Sequence, residues 1–182
     1  LFSKDLGFSV LLLKEKERVN YIKNDISIRT KQDLSYAPII YEYGTDWLKE
    51  EYFRGLPLNR LVDGNDIEVV QEKVVKSHLE ELLLLTKKSW TNREYQDFVK
   101  NEIDSILDNK AIQNSALKKD TILVLLDLLF EELSSRPIVV SCSHGDLQMA
   151  NVLVKGKEFK VIDWESANTR FYLYDLFTLL GG

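Results

Sequence analysis

The stretch that most narrows what this chain can fold into is Ser143-His144-Gly145-Asp146-Leu147-Gln148-Met149-Ala150-Asn151-Val152-Leu153-Val154, followed closely by Val161-Ile162-Asp163-Trp164-Glu165. Between the polar positions the pattern is that of a β-hairpin: apolar Val152 to Val154, a turn over Lys155-Gly156-Lys157-Glu158, then Phe159 to Ile162. A hairpin sets its two ends side by side, because paired strands lie about 5 Å apart. Asn151 at the entry and Asp163 at the exit are thereby placed to share one divalent cation, with Asp146 on the loop that leads in. Asp and Asn also close turns and end strands. That role alone leaves the joint spacing of positions 146, 151 and 163 unexplained.

Such an arrangement suits phosphoryl transfer, whose chemistry is mostly positioning and charge neutralisation around a magnesium-bound triphosphate. One carboxylate orients the incoming hydroxyl while the other groups hold metal. His144-Gly145-Asp146-Leu147 with Asn151, and then Ile162-Asp163-Trp164-Glu165, resemble the aminoglycoside phosphotransferase and choline kinase family, small-molecule kinases of protein-kinase-like fold. The resemblance implies Asp146 as catalytic base, Asn151 and Asp163 as magnesium ligands, and His144 as the residue of the catalytic loop that shapes it. It implies ATP or GTP as phosphate donor and a small-molecule hydroxyl as acceptor. Gly145 stands where protein kinases carry an Arg that pairs with an activation-loop phosphate, which fits an enzyme not switched by phosphorylation. A metal-hydrolase reading of His144 and Asp146 is poorer, since the only other histidine is His78 and such sites recruit more ligands. Ser143 and His144 do not read as a nucleophile pair, because neighbours on an extended segment point to opposite faces.

With 182 residues, 45% hydrophobic and 29% charged, the chain has the composition of an ordinary globular protein with a substantial core. Its net charge of −5 argues against a nucleic-acid partner, which would call for a basic stripe. The sole cysteine, Cys142, lies in the apolar run from Ile138 and reads as a small core residue. No run approaches the length of a membrane span, and no signal-peptide pattern opens the sequence, so a cytoplasmic protein without a membrane partner is expected.

Along the chain, Phe8 to Leu13 reads as a strand ending at Lys14. The resemblance implies Lys14 as the phosphate-binding lysine, with a plain surface lysine as the alternative. Glu15 to Gln32 reads as a helix. In the family a helix here supplies an acid that pairs with the lysine, which falls on Asp25, or on Glu17 in another register; the family usually has Glu. Pro38 to Tyr43 and Trp47 to Phe53 form a hairpin about Gly44-Thr45-Asp46. The following Glu51-Tyr52-Phe53-Arg54-Gly55-Leu56-Pro57-Leu58 resembles the family's hinge. There the nucleotide's adenine meets backbone groups after Glu51, at Phe53, and Gly55 ends the crossing.

A helix capped by Asn65 or Asp66 is expected to run to about Lys88, burying Ile67, Val70, Val74, His78, Leu82 and Leu85. His78 on that stripe reads as a satisfied core or rim histidine. Further helices are expected over Arg93 to Leu107 and Leu117 to Leu133, the latter turning Ile122, Leu125, Leu126, Leu129 and Leu133 inward. In Tyr174-Asp175-Leu176, the resemblance implies that Asp175 anchors the catalytic loop through its backbone; a helix N-terminal acid is the other role for it. Glu165 is placed to be a further metal ligand or a water-holder.

The reading is an α+β, two-lobed protein-kinase-like fold with a truncated small β lobe and a mainly helical large lobe. Residues 1–56 would form the partial nucleotide-binding lobe and hinge, and residues 57–182 the helical catalytic lobe. No glycine-rich loop precedes Lys14, so the chain is expected to be a piece of a longer enzyme, with an incomplete small sheet and an uncovered apolar face near Phe177. The rival is a nucleotide-binding pseudokinase or scaffold. The acids Glu94, Asp97, Glu102, Asp104 and Asp108 suit either a cationic acceptor or a solvated helix face. Aminoglycosides, choline, sugars and amino alcohols all stay open as acceptors, as does the oligomeric state.

Overall fold

Gly44 leaves room for the Trp47 indole at the first hairpin. A Cβ there would lie 2.2 Å from Nε1 of Trp47, so only glycine lets that indole fold back over the turn. The strands it joins, β3 (Ile40–Tyr43) and β4 (Trp47–Glu51), belong to an antiparallel sheet with β1 (Phe2–Ser3) and β2 (Phe8–Leu12), in the order β1-β2-β4-β3. The register of β2 on β4 runs from Phe8 opposite Glu51 to Leu12 opposite Trp47. These elements come from a computed structural model, which describes residues 2–3, 8–12, 19–61, 64–107, 124–125, 127–128, 130–131 and 137–181. Lys14 and Glu17 lie outside the described residues.

Helix α1 (Val19–Gln32) presents Ile22 and Ile26, one turn apart, to buried Leu48 of β4, with Ile40 alongside. Buried Arg29 closes the arrangement by donating to Asp25 on its own helix, to Glu50 of β4 at 2.7 Å and to the carbonyl of Pro38 at 3.0 Å. Burying a guanidinium is tolerable only with its donors engaged in this way.

The larger core of this part forms around a second sheet, ordered β5 (Leu56–Pro57), β8 (Val152–Lys155) and β9 (Glu158–Val161). The β8–β9 hairpin is the one read from the sequence. Its register closes at Lys155 opposite Glu158 around the two-residue turn Gly156-Lys157, with Gly156 at φ 60°, a value glycine adopts freely. Leu58, Val74, Leu82, Leu147, Val152, Val161, Trp164 and Leu179 are fully buried here.

The helix expected to reach Lys88 differs in detail. It begins as α2 (Gly64–His78), passes through a π-helical turn (Leu79–Leu83) and ends as α3 (Leu84–Thr86). One extra residue per turn shifts the helical phase. Leu82 and Leu83 are therefore both buried, and Leu85, expected inside, is 70% exposed. Thr86 ends the helix with its hydroxyl on the carbonyl of Leu82, and it accepts the Cys142 N–H at 2.9 Å.

The chain divides into two compact units, Leu1–Lys87 with Ser141–Gly182, and Lys88–Val140. The expected lobe boundary at residue 56 falls inside the first. In the second unit, β6 (Lys88–Trp90), a strand where the sequence suggested a helix end, pairs with the start of β7 (Ile138–Ser143). Helix α4 (Asn92–Leu107) is capped reciprocally by Thr91 and Glu94: the Thr91 hydroxyl accepts the Glu94 N–H, and the Glu94 carboxylate accepts the Thr91 N–H. Of the third expected helix, the described residues between 124 and 131 are helical. Leu125 is exposed rather than core, while Phe130 is buried edge-on against Tyr95; positions 122, 126, 129 and 133 lie outside the described residues.

After β9 come a 3₁₀ turn (Trp164–Ser166), β10 (Asn168–Phe171) and α5 (Tyr174–Gly181). Phe177 and Leu180 on α5 are exposed, while Leu179 is buried. The architecture is the expected two-lobed α+β one, a small antiparallel sheet with its helix followed by a mainly helical portion. No helix among the described residues is long and apolar enough to cross a membrane.

Candidate functional site

The candidate site forms where β7 ends and β8 begins. His144 leaves β7 fully buried, its ring tilted against Trp164 with centroids 4.5 Å apart. Its Nε2–H donates to the carbonyl of Ile162 at 3.0 Å, so its Nδ1 is the acceptor for the Asp146 backbone N–H at 3.2 Å. Burial, the largest influence, lowers the His144 pKa to about 4, outweighing the nearby carboxylates, chiefly Asp175. The ring is neutral at pH 7, with both nitrogens spent on backbone. It shapes the loop between Asp146 and Ile162.

Asp146 projects from that loop. Gln148 Nε2 donates to its carboxylate, and Asn151 Nδ2 donates both to its carboxylate at 3.0 Å and to its carbonyl at 2.9 Å. With both amide hydrogens so committed, the planar Asn151 amide turns Oδ1 away from Asp146. The hairpin ends meet as its geometry demands: the Ile162 N–H donates to the Asn151 carbonyl at 2.9 Å. Asp163 follows in left-handed backbone at φ 68°, an uncommon conformation for which Asp has some tolerance. Burial first, and then the charge of Asp146, raise the Asp163 pKa above its ordinary value. Glu165, in the 3₁₀ turn behind it, is exposed.

Asp175 ties the loop down from α5. Fully buried, it accepts from the His144 N–H at 2.6 Å, the Gly145 N–H at 2.9 Å, the Ser143 hydroxyl at 2.7 Å and His78 Nε2 at 2.7 Å. Burial alone would raise its pKa. The His78 hydrogen bond and charge, with the Gly145 and Ser143 donors, more than reverse this and leave it at about 2.

Beyond His78 lies a residue the sequence reading passed over. The Tyr36 hydroxyl and His78 Nδ1 share a 2.9 Å hydrogen bond, and burial, with Glu81 and Asp175 next, pushes the Tyr36 pKa well above 10. The turn carrying Tyr36 is clamped to the hairpin: its carbonyl accepts the Val161 N–H at 2.7 Å, and Lys160 Nζ bonds the carbonyls of Ser35 and Ala37. Tyr36, His78 and Asp175 thus form a buried line from the end of α1 to the backbone of the loop that carries Asp146.

Gly145 sits at φ 86°, and a Cβ there would lie 2.2 Å from the Ser166 carbonyl oxygen. Gly145→Ala should therefore destabilise the fold by about 1–3 kcal/mol through backbone strain, with steric overlap adding to it. Gly156→Ala is the control, because at φ 60° it meets no atom within 4 Å. Urea unfolding showing equal losses for the two variants would refute a crowded Gly145.

The remaining sequence candidates are placed as follows. Asp25 is engaged by Arg29. Burial raises its pKa to about 6, Arg29 opposes this, and Glu50 and Asp163 add to it, so Asp25 feels the charge of Asp163 across the site. Glu51 ends β4, accepts the Ile39 N–H at 3.2 Å and lies 3.5 Å from Lys160 Nζ. The Phe53 carbonyl accepts the Gly55 N–H at 3.0 Å. At Gly55 a Cβ would come within 2.9 Å of the Val154 backbone, so glycine permits the chain to cross β8 closely. A cleft of about 490 Å³ is bordered by Glu51 to Arg54 and by the hairpin from Lys157 to Lys160.

A small antiparallel sheet with its helix, a linking segment, and a loop and hairpin anchored by a buried aspartate make up the protein-kinase-like fold. The solved structures it matches are similar in fold at low identity. Aminoglycoside phosphotransferase APH(2")-IIa, in a ternary complex with streptomycin and ATP, matches 97% of this chain and 65% of its own, with a TM-score of 0.64 and 16% identity. A choline/ethanolamine kinase family protein from Mesorhizobium loti matches 95% of this chain and 57% of its own, with a TM-score of 0.59 and 14% identity. A thermostable mutant of aminoglycoside phosphotransferase APH(4)-Ia, in a ternary complex with ADP and hygromycin B, matches 96% and 68%, at 0.52 and 17%. The chain thus spans less than two thirds of the length of the first two. No protein-family model matches the sequence, and no curated protein matches it significantly.

Proposed function

We propose that the chain carries the catalytic centre of a magnesium-dependent phosphotransferase of the aminoglycoside phosphotransferase and choline kinase type. It would move the γ-phosphate of ATP or GTP to a hydroxyl of a small molecule. The observation that carries this reading is the convergence of Asp146, Asn151 and Asp163 on a loop whose backbone is held by a buried, ionised Asp175. In this reading Asp146 accepts the proton of the acceptor hydroxyl as its oxygen bonds to the γ-phosphorus and the bond to the β-phosphate oxygen breaks. His144, neutral and fully bonded to backbone, holds Asp146 in place and moves no proton. Asp25, Glu51 and Phe53 would belong to the nucleotide side.

The residues fit a magnesium ion. Among the described residues no trio of His, Cys, Asp or Glu forms a metal cage. Magnesium, however, is held by one or two carboxylates with substrate phosphates rather than by an all-protein cage. Asp163 and the amide oxygen of Asn151 are hard donors at the two ends of one hairpin. Burial first, and then the charge of Asp146, raise the Asp163 pKa, and a cation beside it would offset both. When bound, the metal would neutralise charge on the triphosphate. Asp163→Ala is therefore expected to weaken binding of magnesium-nucleotide at least about tenfold while leaving metal-free nucleotide binding nearly unchanged. Equal losses in calorimetry would remove Asp163 from the metal.

Nucleotide binding without transfer is the second reading, and the engagement of Asp25 by Arg29 favours it. A coupled assay with aminoglycosides, choline, sugars and homoserine decides between them: magnesium-dependent phosphate on any acceptor supports transfer, and none across the panel with nucleotide bound supports the rival.

A further inference from the structure

We propose that Arg170 is a positioning residue for the catalytic loop, pinning the segment between Asp163 and Asp175 onto Gly145, the residue next to Asp146. The assignment rests on the reading of Asp146 as the base. Its physical basis is a convergence at one point. The place a Cβ would occupy on Gly145 lies 2.2 Å from the Ser166 carbonyl oxygen and 2.5 Å from Arg170 Nη1. Gly145 also donates its N–H to Asp175 at 2.9 Å. The start, middle and end of the segment therefore all bear on a single glycine.

Arg170 is suited to this place. Its Nη1 donates to the Ser166 carbonyl at 2.9 Å while the guanidinium carbon lies 5.1 Å from the Tyr174 ring centroid. A flat cation can lie on an aromatic ring and donate in its own plane at once, which a lysine ammonium cannot reproduce. Ser166 is thereby joined to the first residue of α5, and the guanidinium fills the notch left by the missing side chain at position 145. Without it one wall of the notch is lost beside the Ser166 carbonyl, and the φ of 86° is left for a flexible residue to maintain. Small displacements of a reacting group are costly in rate, on the order of 10²-fold for about 1 Å.

The test uses the full chain with Arg170→Ala, Arg170→Lys and Tyr174→Leu. Amide hydrogen exchange at residues 144–146 should quicken by about tenfold in Arg170→Ala, with the β8–β9 hairpin unchanged. Arg170→Lys should recover only part of that protection, and Tyr174→Leu should reproduce a share of the loss. With an acceptor from the panel, kcat should fall about tenfold in Arg170→Ala while KM for nucleotide holds. Unchanged exchange at 144–146 would overturn the proposal, and so would an equal rise across the hairpin, which marks a merely structural arginine. If no acceptor is turned over, the reading of Asp146 falls, while the exchange result still decides whether Arg170 pins the loop.

Discussion

Replacing Asp146 by asparagine is expected to lower phosphoryl transfer by about 10²–10⁴-fold, the loss typical of removing a general base, while leaving nucleotide affinity nearly unchanged. The substitution is close to isosteric, and the backbone at position 146 is held independently of its carboxylate. The Asp146 N–H rests on His144 Nδ1, and its carbonyl accepts from Asn151. The loop should therefore stay folded, and the deficit should appear in kcat rather than in stability. An asparagine oxygen can still accept the hydrogen bonds from Gln148 and Asn151, but it cannot take up a proton at neutral pH. Steady-state kinetics with calorimetry for the nucleotide gives the answer: a variant retaining more than about a tenth of wild-type rate would mean that another group is the base.

What could be read in the sequence, and what could not, follows from the range of the interactions involved. The β8–β9 hairpin was legible because its signals are local: short apolar runs, a glycine in the turn, and polar residues at both ends. The hairpin at Gly44 was legible for the same reason. The small lobe's packing was only partly so, since Arg29 reaches Asp25 within one helix but Glu50 from another element. Burial of His78 was foreseen from its place on an apolar helical stripe. A buried histidine must find partners, yet nothing in the pattern says that they are Tyr36, 42 residues earlier, and Asp175, 97 residues later. The π-helical turn after His78 escaped because Leu82 to Leu85 are all leucine, so the sequence carries no mark of which ones face inward. β6 was missed because three residues of Lys-Ser-Trp become a strand only by pairing with β7.

Asp175→Asn is expected to destabilise the protein by about 1–3 kcal/mol at pH 7, the usual result of leaving a buried hydrogen-bonding group unpaired. One carboxylate oxygen accepts from Ser143 and Gly145, the other from His144 and His78. An amide has a single acceptor oxygen. Whichever way it turns, its NH₂ faces a backbone N–H, that of Gly145 or of His144, which is left buried and unpaired, while the Ser143 hydroxyl or the other His78 tautomer can accept from it. The pH dependence separates this loss of charge from mere misfit. Asp175 titrates at about 2 in the folded protein against an ordinary 3.8, so between these values the unfolded chain binds more protons and stability rises with pH. That contribution, about 2 kcal/mol, is complete above about pH 4 and disappears as pH falls toward 2. Asp25, raised to about 6, acts in the opposite sense between about pH 4 and 6, stability falling there as pH rises. It is common to wild type and variant and cancels in their difference. Urea unfolding from pH 7 downward should accordingly show a gap between the two proteins that is level above about pH 4 and narrows below it. A gap constant down to pH 2 would mean that Asp175 carries no charge in the folded protein, and the anchoring of the loop at 144–146 would need another source.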